Sequence, residues 1–203
     1  MSEVVVGFGA SLLLAVVTAV VMDLVPAIRR SVYPLLVGSQ ALPVLVVAPI
    51  LVLTLGFGLA PKVVVIVLLT FFPIVVGLLD GFAAVTPEAS DLLRSYGASK
   101  RQGLWLLRIP TALPSFFTGL RIAVTYAVLG AVYAEYVGSV DGLGIWINTS
   151  QKADRIDLVF GAVGIVLVLS VALFLVVGVI ERLVIPWAGT GRGRRDEGPS
   201  GLG

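Results

Sequence analysis

Residues 4–22, between Glu3 and Asp23, carry no charge, and similar windows recur along the chain. A bilayer core of about 30 Å needs roughly 20 apolar residues in a helix. Residues 31–61 are uncharged but hold Pro34, Pro43, Pro49 and Pro61. Residues 63–79 run uncharged to Asp80 and stay apolar to Val85. Residues 109–134 contain one charge, Arg121, and residues 158–180 contain none. The pattern predicts an all-α polytopic membrane protein of about five transmembrane helices. The second helix is placed near 36–57 and kinked by its prolines, which neighbouring helices can tolerate. A signal peptide is the rival reading of residues 4–22, but no basic segment precedes them.

Composition agrees. Of 203 residues 58% are hydrophobic and 13% charged, against roughly half and a quarter in soluble domains. The chain has no cysteine and no histidine. That excludes disulfides, thiolate nucleophiles, Ser-His-Asp triads and the commonest metal ligand. No catalytic or metal residue is assigned. No GxxxxGK[ST] phosphate loop occurs, so the chain lacks an ATP site of that kind.

Basic residues set orientation. With segment 86–110 inside, Arg29, Arg30, Arg94, Lys100, Arg101, Arg108, Arg182, Arg192, Arg194 and Arg195 are cytoplasmic, while Lys62, Lys152 and Arg155 are outside. This puts the C-terminus inside and, with five spans, the N-terminus outside. An N-out start without a signal raises the expectation of a missing upstream span. Residues 188–203 are rich in Gly and Arg and read as a disordered cytoplasmic tail, with attraction to anionic headgroups as the other reading. Residues 1–187 form the membrane domain.

The segment Thr86–Pro110 is the substantial polar stretch. Thr86 suits an N-cap, Pro87 the first helical position, and Glu88 the positive end of the helix dipole. Gly97 suits the C-terminal stop. Ser99 then caps a second helix, from Lys100 to about Ile109, ended by Pro110. By spacing, Leu92, Leu93 and Tyr96 share a face of the first helix. Chemistry alone leaves this as readily an ordinary surface hairpin as a docking element.

The stretch Asp91-Leu-Leu-Arg-Ser-Tyr-Gly97-Ala-Ser, with nine residues between Gly97 and Leu107-Arg-Ile109-Pro110, resembles the cytoplasmic signature of ABC importer permeases. It departs at the front, where the acidic position falls on Asp91 and Leu93 stands near a usual small residue. Ala112-Leu-Pro-Ser-Phe-Phe-Thr-Gly-Leu-Arg121-Ile-Ala, Ala134-Glu135-Tyr-Val-Gly138 and Gly142-Leu-Gly144 are similar to the nitrate/sulfonate/taurine branch. Thr70-Phe-Phe-Pro-Ile-Val-Val-Gly77, Thr125-Tyr-Ala-Val-Leu-Gly-Ala-Val and Glu181-Arg182 with Pro186-Trp187 look most like permeases for thiamine-precursor pyrimidines. The likeness runs from about residue 7 to 187. Family permeases carry a further N-terminal span, in line with the odd topology.

The resemblance implies a non-enzymatic permease subunit in a bacterial or archaeal plasma membrane, importing a small solute as a homodimer. Two ATPase subunits would bind ATP and Mg, and an extracytoplasmic protein would deliver solute; lipid is a partner and nucleic acid is not. Hairpin 86–110 would be the coupling element, with Gly97 turning the chain. Asp91 to Ser99 would couple mechanically, with Leu92, Leu93 and Tyr96 entering an ATPase groove. Arg94, Lys100 and Arg101 would meet ATPase carboxylates. The first solute choice is a thiamine-precursor pyrimidine; the alternatives are a sulfonate, taurine or nitrate, with riboflavin further behind. A secondary transporter or channel would show inverted repeats and coupling carboxylates, and a membrane enzyme a catalytic cluster; neither pattern is evident.

Three ionisable residues fall within spans: Asp80, Arg121 and Glu135. Counting from the cytoplasmic ends of their helices puts Asp80 and Arg121 at similar depth and predicts an ion pair or shared polar network. Glu135 lies near the outer boundary beside Tyr133 and Tyr136, where it lines a vestibule or is simply solvated. Gly77 and Gly81 form a small-xxx-small pair fit for close helix packing, and Trp146 suits an interfacial anchor.

Overall fold

The computed structural model describes residues 2–40, 43–139 and 141–189, and they fold into helices and short connections. The Gly/Arg-rich tail with Arg192, Arg194 and Arg195 lies outside the described residues. Four helices are long and apolar enough to cross a membrane: α1 (Ser2–Leu24), α4 (Leu59–Ala83), α7 (Ile109–Gly138) with the turns before it, and α9 (Ile156–Val184).

The expected second span is broken rather than kinked. Its window is shared between α2 (Pro26–Ser39) and α3 (Val44–Leu55). Gly38 and Ser39 close α2, and Pro43, which has no N–H to donate, precedes α3. At 1.5 Å per residue the 12-residue α3 is about 18 Å long, short of a full crossing. Val44, Ala48 and Leu51 of α3 pack with Val65, Leu69, Tyr133 and Ala134. Val32 and Leu36 of α2 lean on the main core.

That core is the meeting of α1, α4 and α7. Ala15, Ala19 and Met22 of α1 interlock with Ile74, Val75, Leu78, Leu79 and Phe82 of α4 and with Ala112 and Ala123 of α7. Small residues let the backbones approach. A Cβ on Gly77 would sit 2.7 Å from the Ser115 carbonyl oxygen, and one on Gly81 would sit 2.5 Å from Ala112 Cα. Gly119 faces the Pro73 carbonyl, where a side chain would overlap it. The Gly77–Gly81 pair therefore lies at the α4–α7 contact, as its spacing predicts.

Phe117 and Val124 of α7 meet Val177 and Ile185 at the other flank. The open face of α9, including Phe160, Val163, Leu167, Val168, Val171 and Leu175, is exposed hydrocarbon, the surface a membrane lipid would cover.

Candidate functional site

At one end of the bundle, α4 gives way to a hairpin of α5 (Pro87–Ser95) and α6 (Lys100–Gly103). The Thr86 hydroxyl accepts from Ala89 N at 3.4 Å, with Pro87 in the first turn. The helix closes with Ala98 N donating to Leu93 O at 3.1 Å and Gly97 N donating to Arg94 O at 2.9 Å. This is a Schellman stop, and Gly97 takes the positive φ of 76° that it requires. Ser99 and Gln102 then exchange two hydrogen bonds, Gln102 N to Ser99 Oγ at 3.3 Å and Ser99 N to Gln102 Oε1 at 2.8 Å, a complete capping box.

Pro110 does not end the second helix as expected. Residues Leu104–Arg108 form a π turn, and Ile109 N donates to Leu104 O. The helical ladder loosens before the proline, so its missing N–H is absorbed and the helix continues. The result is one uninterrupted helical stretch from Lys100 to Gly138.

Leu92 and Leu93 of α5 and Tyr96 just after it do not share a face. Leu92 and Tyr96 project outward, 58% and 81% exposed. Leu93 turns inward, because a step of one residue rotates the helix by about 100°. It lines a groove of about 380 Å³ together with Asp23, Ser90, Arg94, Ser99, Lys100 and Arg108. Asp91 and Arg94 form an exposed pair at 3.5 Å. Arg101 is also exposed. An ion pair that sequence reasoning missed ties the hairpin to α1: Arg108 donates to Asp23, whose carboxylate is almost fully buried. Nothing local in the sequence joins residues so far apart.

The expected contact between Asp80 and Arg121 is not formed. Gly81 packs against Ala112, so Asp80 is level with the start of α7. Arg121 lies nine residues further along, about 13 Å deeper. Counting from predicted span ends could not supply that register. Asp80 is exposed. Arg121 instead pairs with Glu181 on α9, with both side chains largely buried. The Phe174 ring stacks 5.4 Å from the guanidinium carbon, and Gly178 leaves room between them. Residues 174, 178 and 181 recur at helical spacing and present one face of α9 to Arg121.

At the opposite end of the bundle, Glu135 accepts a hydrogen bond from Gly144 N at 3.1 Å. Gly144 is the second residue of α8 (Leu143–Lys152), so a carboxylate from another helix caps α8 at its positive pole. Lys62 pairs with Glu3 at 3.7 Å beside this site, and Glu3 and Glu135 are themselves neighbours. Gly142 and Gly144 are required here, since a side chain on either would overlap Glu135. Asn148 donates to Tyr136 O at 3.3 Å, and Tyr136 donates to Gln151 at 3.2 Å, completing the clamp. Trp146 is partly exposed alongside.

Spans packed through small residues, with one capped polar hairpin at an end of the bundle, define a multi-pass helical membrane protein. The family comparison specifies which kind. Its sequence profile matches residues 11–186, and the chain belongs to the binding-protein-dependent transport system inner membrane components. The chain is similar to the formylaminopyrimidine transport permease protein of Halalkalibacterium halodurans, 39% identical over 182 residues, 90% of this chain and 73% of the relative. It is 34% identical over 160 residues to the riboflavin transport system permease protein of Chloroflexus aurantiacus, 79% of this chain and 60% of the relative. The taurine transport system permease protein of Escherichia coli is 27% identical over 189 residues, 93% of this chain and 69% of the relative. The expected class, the membrane permease of an ABC importer, is borne out.

Proposed function

We propose that this chain forms half of a homodimeric pore that imports a thiamine-precursor pyrimidine. An extracytoplasmic binding protein delivers the solute. Two ATPase subunits, which bind ATP and Mg, engage the hairpin on the cytoplasmic side, where the C-terminus also lies. Closure of the ATPase pair pushes the hairpins and rocks the membrane helices. The observation that carries this reading is the hairpin. It is rigidly capped at both ends, braced to α1 by Asp23, and yet presents Leu92 and Tyr96 to solvent. An exposed aromatic–aliphatic pair on a stiff helix suits docking into a groove of a partner. Arg94, Lys100 and Arg101 beside it suit carboxylates on an ATPase. The solute is supported by the formylaminopyrimidine permease among the relatives.

A Ser95→Cys variant should crosslink to a cysteine on the ATPase in the assembled transporter. Gly97→Pro, which cannot take the positive φ of the turn, should abolish uptake and solute-stimulated ATP hydrolysis while the assembled permease remains in the membrane. Retention of both activities would overturn the coupling role. Uptake of taurine in place of the pyrimidine would overturn the solute assignment alone.

A further inference from the structure

Helix α7 is covered by α4, α9, α8, α3 and α1, and its remaining face differs from the lipid-type surface of α9. Ile122, Tyr126 and Leu129 are 46%, 42% and 48% exposed there. Tyr133 and Tyr136 continue the same stripe at helical spacing, partly exposed. Three of the five tyrosines of the chain thus stand on one helix face. Interfacial anchoring explains Tyr136, but not Tyr126, which lies 12 residues, about 18 Å, from the end of α7 at Gly138. Among the described residues the Tyr126 hydroxyl has no hydrogen-bond partner. Facing lipid, it would carry the cost of an unpaired polar group; facing water, it would not.

The stripe borders a cavity of about 380 Å³ between α3, α4 and α7, lined by Val44, Leu69, Leu129, Val132, Tyr133 and Tyr136. That volume falls in the range of small-molecule sites, and the lining is apolar and aromatic. No lining residue is charged. The cations on the neighbouring helices are committed, Lys62 to Glu3 and Arg121 to Glu181. A sulfonate would find no cation among the residues that line the cavity, whereas a flat uncharged ring would find aromatic faces to stack on.

We infer that the α7 stripe Tyr126–Leu129–Tyr133–Tyr136 lines the solute path and that its cavity takes a neutral heteroaromatic ring. This rests on the importer reading above and narrows it to named residues. The chain has no cysteine, so single cysteines report cleanly. In the assembled transporter in membrane vesicles, Tyr126→Cys and Leu129→Cys should react with a charged methanethiosulfonate at least about tenfold faster than Leu167→Cys on α9, because the reagent needs water and ionised thiol. Equal rates would overturn the wet path. Spontaneous disulfides between two copies at Tyr126→Cys, with the reagent excluded, would also overturn it and make the stripe a dry subunit contact. For the ring, uptake of formylaminopyrimidine should fall about fivefold to tenfold further in Tyr133→Leu than in Tyr133→Phe, the scale of a lost aromatic stack. Equal losses would refute stacking. A wild-type transporter that carries taurine and not formylaminopyrimidine would refute the solute class, and with it the solute assigned above, while the thiol rates decide the path independently.

Discussion

Adding one methyl group at Gly81 tests how the bundle is held together. In an open helical position Gly→Ala gains up to about 1 kcal/mol from reduced backbone freedom. At Gly81 the new Cβ would stand 2.5 Å from Ala112 Cα, where ordinary contact begins at 3.4 Å. The neighbour is backbone and cannot rotate away, so α4 and α7 must part by about 1 Å at their crossing. Overpacking of this kind costs about 1–3 kcal/mol. The net expectation is a loss of about 1–2 kcal/mol. Gly161 and Gly164 on α9 are the control, since a Cβ there meets nothing within 4 Å. A kcal/mol shifts the melting midpoint of a chain this size by roughly 2–4 °C. Gly81→Ala should therefore melt roughly 2–8 °C below the parent, and Gly161→Ala at or slightly above it. Thermal loss of the monodisperse peak in size-exclusion chromatography of detergent-solubilised protein reads both. A Gly81→Ala protein as stable as Gly161→Ala would refute the claim that backbone proximity at this crossing sets stability.

Two further outcomes follow from the polar contacts. Glu181→Leu should destabilise by about 1–3 kcal/mol, less than the loss of a fully buried partner because Arg121 keeps some solvent; adding Arg121→Leu should recover part of that loss, and additive single effects in a double-mutant cycle would show the pair is not coupled. Glu135→Ala should remove the cap of α8 at a cost of about 1 kcal/mol, seen as faster amide exchange at Gly144 with exchange in α9 unchanged; unaltered exchange at Gly144 would refute the capping role.

What the sequence reveals of this protein tracks how local each feature is. The caps at Thr86, Gly97 and Ser99 are legible because each depends on partners within a few residues. The α4–α7 contact is legible because Gly77 and Gly81 mark it on one helix. Arg121 is correctly marked as a group needing a partner, but its partner depends on the stagger between helices, which span ends do not carry. Glu181 lies at the edge of an apolar window and reads as a boundary charge. The division between α2 and α3 is hinted at by Gly38 and Pro43 without being forced. Leu93 shows the limit of treating three apolar residues on a short helix as one surface.

The π turn at Leu104–Arg108, with Pro110 and Pro114 just beyond, has a mechanical consequence. Helices bend where a wide turn or a proline interrupts the ladder, and here all these weak points fall within the first 15 of the 39 residues of the Lys100–Gly138 stretch. The remainder, locked to α4 through Gly119 and to α8 through Glu135, is a stiff rod. A push on the hairpin therefore meets a flexible wrist before it meets the rod. On the coupling role proposed above, direction can be changed at the wrist, and the rod carries the motion on to the tyrosine-lined face and the far-end clamp.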